Sequence, residues 1–270
     1  MTAANSAQGD ERLILVETDG PIGWLRIHNP TRMNAMSLSM WQAMKIRVEE
    51  LDQNPDIQVM VVAGHGGKAF CAGGDISEFL EVRTGADATA AYDAAGKAAM
   101  NALRHTTKPT IALIEGYCLG GGVALALQCD LRIATDSARI GVPAAKRGIA
   151  YNFDGVRQLI SLVGPSNAMN MLYTGRQFGA AETLAMGLVN EVHPAATIGE
   201  AVHAIASTIA DNAPLSVRAA KMMVEMILRD PGERDLALCT AAEQACLHSE
   251  DYREATRAFA EKRKPAFRGR

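Results

Sequence analysis

Two glycine-rich stretches organise the chain: residues 116–122 read GYCLGGG, and residues 68–76 read KAFCAGGDI. Each follows an apolar segment predicted to be a buried strand and precedes a segment predicted to be helical. Glycine lets a backbone pass close to a ligand with its N–H groups free, and a helix beginning at Gly121 adds its positive end. Two such N–H groups that converge on one point form an oxyanion hole. The alternative is that these glycines only permit tight turns.

Outward from these stretches, apolar strands alternate with loops and helices. Ser37 is the predicted N-cap of a helix that runs through Leu51. Two further helices are expected, one over residues 88–103 and one ending near Gln128. The predicted strands are residues 13–16, 22–27, 57–63, 110–115 and 131–134. This repeated order of strand, loop and helix predicts an α/β core.

The C-terminal third of the sequence has a different pattern. Beyond residue 166 the only strand signal is near residues 187–189, and helices are predicted from Pro214, over residues 232–248 and over residues 251–262. The apolar stripes of these helices need a surface to cover them, which is either the core or a neighbouring subunit.

The composition is that of an ordinary globular protein. The 270 residues carry a formal net charge of −3, with 48% apolar and 21% charged residues, which argues against nucleic-acid or membrane-surface binding. The first twelve residues lack an apolar signal-peptide core and are expected to form a frayed tail. Five cysteines without a C-x-x-C motif predict reduced thiols in a cytoplasmic protein. No spacing typical of metal ligands occurs.

Several segments together resemble the crotonase superfamily, also called the enoyl-CoA hydratase/isomerase family. Besides the two glycine-rich stretches, they are Cys129-Asp130 and residues 29–36, 187–190 and 258–267, so the resemblance covers nearly the whole chain. It implies an acyl-CoA substrate, an enolate intermediate, no cofactor other than the coenzyme A of the substrate, and a ββα spiral core. It also implies a core over residues 13–205, a helical oligomerisation region over residues 206–270, and a homotrimer or hexamer.

The resemblance also implies the residues of the site. The N–H groups of Gly74 and Gly121 would hold the thioester oxygen. Ala72 and Ile76 match positions of the adenine pocket, with Asp75 beside them. In the tail, Lys262, and alternatively Lys264, matches positions that approach the coenzyme A phosphates, often across a subunit boundary.

Two catalytic positions of the hydratases are altered in this sequence. Hydratases of the family use two glutamates to add water across a double bond, and the matching positions here are Ala124 and Ala144. Alanine can neither take nor give a proton, so most of the acid–base contribution of ~10²–10⁴-fold from each group should be missing. The sequence therefore predicts an acyl-CoA enzyme that is not an ordinary hydratase.

Two other residues are candidates for the chemistry. Tyr151-Asn152 resembles the matching stretch of the malonyl-type acyl-CoA decarboxylases of the superfamily, in which the tyrosine meets the substrate carboxylate. Asp154 is the other candidate, although a helix-entry aspartate is also a common N-cap. In some of those decarboxylases a histidine occupies the position of Gly74. A third hypothesis is an acyl-CoA-binding subunit without catalytic activity.

Overall fold

The computed structural model describes residues 13–75 and 86–270. The expected N-terminal tail and Ile76 lie outside these residues. The described strands are β1 Leu13–Asp19, β2 Ile22–His28, β3 Val59–Gly64, β4 Ala69–Cys71, β5 Thr110–Ile114, β6 Tyr117–Leu119, β7 Leu131–Thr135, β8 Arg139–Gly141, β9 Phe178–Gly179 and β10 Glu191–His193. The predicted alternation of strands and helices is confirmed.

The described α-helices are α1 Leu38–Gln53, α2 Ala86–Arg104, α3 Gly121–Ala126, α4 Phe153–Thr174, α5 Ala180–Ala185, α6 Ile198–Ala210, α7 Pro214–Ile227, α8 Leu236–His248 and α9 Glu250–Glu261. Helix α4 bends at Gly164, whose φ of 72° interrupts the helix before Pro165. Among the described helices, none combines the length and apolar character that a membrane span requires.

The strands form two sheets. The larger has the order β1-β2-β3-β5-β7-β10, with only the β1–β2 pair antiparallel. The smaller has the order β4-β6-β8-β9, and its β4–β6 and β6–β8 pairs are parallel. The two glycine-rich stretches therefore enter the smaller sheet as the neighbouring strands β4 and β6.

The larger sheet buries a different core on each face. Leu25 and Ile27 of β2 belong to one core, which includes the apolar face of α1. Ile22 and Trp24 alternate with them along the strand and belong to the other core, to which α6 contributes Val202 and Ala206. This alternation follows from the two-residue period of side chains along a strand.

The expected domain boundary at residue 205 falls inside α6. This helix runs without interruption from Ile198 to Ala210. Ala206 is fully buried against the larger sheet. The helices that follow α6 form the C-terminal helical region.

Local signals explain α1, whose predicted start is confirmed. The Ser37 hydroxyl accepts a hydrogen bond from the Met40 N–H at 3.2 Å, the usual N-cap arrangement. Buried side chains follow at helical spacing, and the helix ends at Gln53, two residues before Pro55.

The strand predicted near residues 187–189 is wrong. Residues 187–190 form a turn and a bend, and the strand β10 begins at Glu191. The buried Arg132 side chain explains the difference, because its Nε donates to the Leu188 carbonyl at 2.8 Å. Leu188 and Val189 are apolar because they pack in the core.

All five cysteines are free thiols, as predicted. Cys71, Cys118 and Cys129 are buried. Desolvation raises the pKa of the Cys71 and Cys129 thiols to about 12, so these groups are small neutral core residues rather than reactive thiolates.

Candidate active site

The two glycine-rich stretches meet at the ends of β4 and β6. These strands are parallel neighbours, with Cys71 paired to Cys118, so the chain leaves both at the same edge of the sheet. After β4 the chain continues through Ala72 and Gly73, and after β6 it passes Gly120 and starts α3 at Gly121.

Contact between the two stretches depends on missing side chains. A Cβ built on Gly121 would lie 3.4 Å from the Gly73 Cα and 3.5 Å from the Gly74 nitrogen. At Gly73, φ is +103°, a conformation that side-chain-bearing residues rarely adopt, and a Cβ there would lie 3.3 Å from the Gly121 nitrogen. The Gly74 and Gly121 amides are thereby brought together, and neither donates a backbone hydrogen bond within residues 13–75 and 86–270.

The helix that carries Gly121 packs directly on the first stretch. A Cβ on Gly122 would lie only 2.1 Å from the Cys71 carbonyl oxygen. Glycine at residue 122 is therefore a requirement of the close approach between α3 and the end of β4.

A cavity of about 1010 Å³ opens beside these amides. It brings together most of the predicted site residues: Ala72, Gly74, Gly121, Tyr151 and Asp154 all line it. Its volume is at the upper end of the range typical of small-molecule and cofactor sites, roughly 300–1,000 Å³.

Ala124 and Ala144 also line this cavity, and both are buried. The two positions that the resemblance matches to the hydratase glutamates therefore have only methyl groups in the cavity lining. Among the described residues, the carboxylates of the lining are Asp93, Asp154, Glu225 and Glu233.

Tyr151 lies next to the second stretch. Its hydroxyl donates to the Gly120 carbonyl oxygen at 3.4 Å. Its ring packs over Gly155, where a Cβ would lie 2.7 Å from the ring carbon Cε1. Desolvation, with a smaller contribution from Cys118, raises the pKa of Tyr151 above its ordinary value of 10.0. The hydroxyl is therefore a neutral hydrogen-bond donor at physiological pH.

Asp154 is at the solvent-exposed edge of the cavity. Its side chain is 62% exposed and lies 3.8 Å from Arg157. It is not the N-cap of α4, because Asn152 accepts from the Gly155 N–H at 2.7 Å. The possible capping role of Asp154 is therefore wrong. Asp154 lines the cavity, and its part in the chemistry stays a prediction.

Asp75 and Lys262 lie apart from the cavity lining. Asp75 is buried, and its N–H donates to the Met36 carbonyl at 2.9 Å. Lys262 ends α9 in a left-handed conformation with a φ of 53°. The alternative tail residue, Lys264, forms a 2.6 Å ion pair with Asp211.

A chain of hydrogen bonds next to the first glycine-rich stretch was not predicted from the sequence. Trp41 Nε1 donates to the Tyr92 hydroxyl at 3.0 Å, and that hydroxyl donates to the Met36 carbonyl at 2.8 Å. Met36 in turn pairs with Gly74 in an isolated bridge. Trp41, Tyr92 and Met36 come from α1, α2 and the segment before α1. No local sequence motif could therefore predict their contact.

Comparisons with known proteins agree with this fold. The family model described as enoyl-CoA hydratase/isomerase matches residues 17–270. A short-chain-enoyl-CoA hydratase of Clostridium acetobutylicum is 32% identical over 93% of this chain and 95% of its own length. A probable enoyl-CoA hydratase of Mycobacterium bovis is 37% identical, with 94% and 97% covered.

Solved structures of enoyl-CoA hydratases have a similar fold. A crystal structure of an enoyl-CoA hydratase/carnitine racemase from Magnetospirillum magneticum has a TM-score of 0.89 and 34% identity, with 97% of each chain covered. An enoyl-CoA hydratase from Bacillus anthracis has a TM-score of 0.90 and 30% identity, with 95% and 99% covered. The chain has the crotonase fold and belongs to the enoyl-CoA hydratase/isomerase family, whose members process acyl-CoA.

Proposed function

We propose that this protein binds an acyl-CoA thioester and stabilises its enolate with the N–H groups of Gly74 and Gly121. The observation that carries the proposal is the contact between the two glycine-rich stretches, which leaves both amides beside the cavity and without a backbone acceptor among the described residues. Donors held in advance near a developing oxyanion stabilise the transition state more than the ground state.

The proposed chemistry differs from ordinary hydration. Methyl groups at Ala124 and Ala144 cannot activate water or deliver a proton. The coenzyme A portion of the substrate is the only cofactor chemistry that the proposal needs. Tyr151 is proposed as the group that returns a proton to the α-carbon, because it lines the cavity next to the second glycine-rich stretch. This transfer requires its proton to turn from the Gly120 carbonyl to the α-carbon.

Exchange of the α-proton tests the enolate proposal. We expect the protein to bind butyryl-CoA and to exchange its α-protons for deuterium in D₂O, followed by NMR. Solvent hydroxide removes the α-proton, Gly74 and Gly121 hold the enolate, and a deuteron then adds to the α-carbon. Crotonyl-CoA hydration should be far slower than the ~10 s⁻¹ of a typical enzyme. Hydration at that rate would contradict the proposal.

Decarboxylation of a malonyl-type thioester is the second candidate function, supported by the protonated Tyr151 next to the Gly120 carbonyl. The bond between the α-carbon and the carboxylate would break, its electrons would form the enolate, CO₂ would leave, and the α-carbon would take a proton. Methylmalonyl-CoA tests this candidate: absence of CO₂ release, or release unaffected by Tyr151→Phe, removes it.

A non-catalytic acyl-CoA-binding subunit is the remaining alternative, motivated by the two alanines. Tight binding of butyryl-CoA without any α-proton exchange, across thioesters of several acyl lengths, would favour it over both enzymatic candidates.

The proposal also covers the oligomeric state and the cellular location of the protein. We propose a homotrimer or hexamer, because α8 buries none of its side chains within the chain although it carries Leu236, Leu238 and Leu247. Contact of Lys262 and the residues around Asp75 with coenzyme A stays a prediction of this assembly. The free thiols support a cytoplasmic location.

A further inference from the structure

Two glutamine side chains form a reciprocal pair in the cavity lining. Gln128 Nε2 donates to Gln158 Oε1 at 2.8 Å, and Gln158 Nε2 donates to Gln128 Oε1 at 3.2 Å. Gln128 follows α3 and is 8% exposed, while Gln158 is half-buried on α4. The pair is thus a polar patch on a wall that also contains the methyl groups of Ala124 and Ala144.

The orientation of the pair is fixed by a backbone group. Gln128 Nε2 also donates to the Ala124 carbonyl at 2.8 Å, and a carbonyl accepts only. Both N–H groups of Gln128 are therefore used. Each amide has two donors and two acceptor lone pairs, so among the contacts of the described residues one Gln158 N–H and one lone pair on each of Gln128 Oε1 and Gln158 Oε1 are left over.

An acyl chain of ordinary length can reach from the proposed oxyanion site to the remaining donor and acceptors of the glutamine pair. Ala124 is about one helical turn beyond Gly121, and the Gln128 side chain reaches back to the Ala124 carbonyl, so the pair lies roughly 5–10 Å from the Gly121 N–H. About four to eight carbon–carbon bonds span this distance. An entirely apolar acyl group would cover the amides without giving them a partner, which is unfavourable for buried polar groups.

We propose that the Gln128–Gln158 pair selects an acyl group that carries a carbonyl or hydroxyl oxygen near its fifth carbon. The free Gln158 N–H donates to this oxygen, and a hydroxyl can also donate to Gln128 Oε1. The inference rests on the proposed function, because it places the thioester carbonyl at Gly74 and Gly121.

Calorimetric titration of two matched thioesters tests the inference: hexanoyl-CoA and its analogue with a ketone on the fifth acyl carbon. We expect the ketone analogue to bind the wild-type protein at least about tenfold more tightly. Gln158→Met keeps the length of the side chain and removes its amide, so it should bring the ratio close to one while hexanoyl-CoA binds as well or better.

The control is Ile160→Met on the same helix, at an exposed position outside the cavity lining, and it should keep the wild-type ratio. If Gln158→Met fails to fold, Gln128→Met provides the same comparison, and the wild-type ratio is itself a test. Equal affinities in the wild type, or a ratio that survives both substitutions, would overturn the inference.

Failure of the proposed function has a different signature. Neither thioester would bind, or both would bind without α-proton exchange of hexanoyl-CoA in D₂O. The first result overturns both proposals. The second overturns the enolate chemistry alone, since the affinity ratio still decides the role of the glutamine pair.

Discussion

At several single positions the site depends on the side-chain atoms that are missing. Gly122 lacks a Cβ where one would collide with the Cys71 carbonyl, and Gly121 lacks one where it would fill the space beside the Gly74 nitrogen. Ala124 and Ala144 carry methyl groups where the resemblance implies the glutamates of a hydratase. The absence of a Cβ at the glycines allows the two amides to approach each other. The absence of carboxylates at the alanines restricts the reactions that we propose for the cavity.

Gly122→Ala should destabilise the protein by about 1–3 kcal/mol, because the new methyl must displace a backbone oxygen rather than a side chain. Gly199→Ala is the matched control, since a Cβ there meets no atom within 4 Å in α6. The control should be neutral or stabilising by about 0.4–1 kcal/mol. Urea denaturation measures both, and equal effects would refute the packing argument.

Tyr151→Phe should slow α-proton exchange by about 10²-fold, the lower end of the contribution of a positioned proton donor. Because the pKa of Tyr151 is raised, its ionisation should not reduce the wild-type rate as the pH approaches 10.0, the ordinary tyrosine value. The measurement is the exchange rate against pH. A loss of rate well below pH 10 that Tyr151→Phe abolishes would show that the hydroxyl is not held neutral.

Among the secondary-structure elements, α1 and α2 support the first glycine-rich stretch, and their residues Trp41 and Tyr92 also line the cavity. Tyr92 of α2 connects Trp41 of α1 to the Met36 carbonyl, which also accepts from the Asp75 N–H. The position of the Gly74 amide therefore depends on how these two helices pack.

Tyr92→Phe should cost about 1–3 kcal/mol of stability, because the Trp41 N–H loses its acceptor in a buried place. If Tyr92 positions Gly74, the exchange rate kcat should fall more than the KM for butyryl-CoA changes. Tyr173→Phe, at a 74% exposed residue of α4, is the control and should change neither. A loss of stability with an unchanged kcat would assign Tyr92 a structural role only.

Elements with a local signal could be predicted from the sequence, and elements without one could not. The Ser37 cap and the apolar runs of β3 and β5 are encoded within a few residues. The short strands β8 and β9 have two or three residues each, too few for a periodic pattern. The glycine-rich stretches that carry Gly74 and Gly121 could be recognised because each has its own local motif, and the role of their N–H groups stays a prediction. Gln128 and Gln158, in contrast, are 30 residues apart and meet only in the folded chain.

On the scale of the whole molecule, the C-terminal tail is fixed by charge. Glu254 accepts from both terminal nitrogens of Arg263 and from the Ala266 N–H. The Arg263 hydrogen bonds, followed by that of Ala266, lower the pKa of Glu254 from 4.5 to about 2. The ionised carboxylate is thus favoured in the folded state.

Glu254→Gln should therefore weaken the loss of stability in acid. In the wild type, the contribution of Glu254 is present above pH 4.5 and is lost as the pH falls towards about 2, since the unfolded state binds its proton first. Thermal unfolding of both proteins across this window measures the difference. Superimposable pH profiles would show that the tail contact contributes nothing.

The assembly has its own test. Light scattering of the purified protein should give a trimer or hexamer, because the exposed leucines of α8 need an apolar partner surface. Leu236→Glu and Leu247→Glu together should lower the mass towards that of one chain, 28.8 kDa. A monodisperse wild-type monomer would contradict the prediction.

The parallel pairing of β4 with β6 fixes the starting points of the two segments that carry the proposed N–H donors. Adjacent strands are held about 4.8 Å apart by their ladder, and the two proposed donors follow the ends of these strands, Gly74 three residues after Cys71 and Gly121 two residues after Leu119. The sheet therefore sets where both donor segments begin. The two proposed N–H donors are in position once the chain has folded. Binding of a thioester therefore requires no further ordering of these groups. On heating, the capacity to stabilise an enolate should consequently persist until the smaller sheet itself melts.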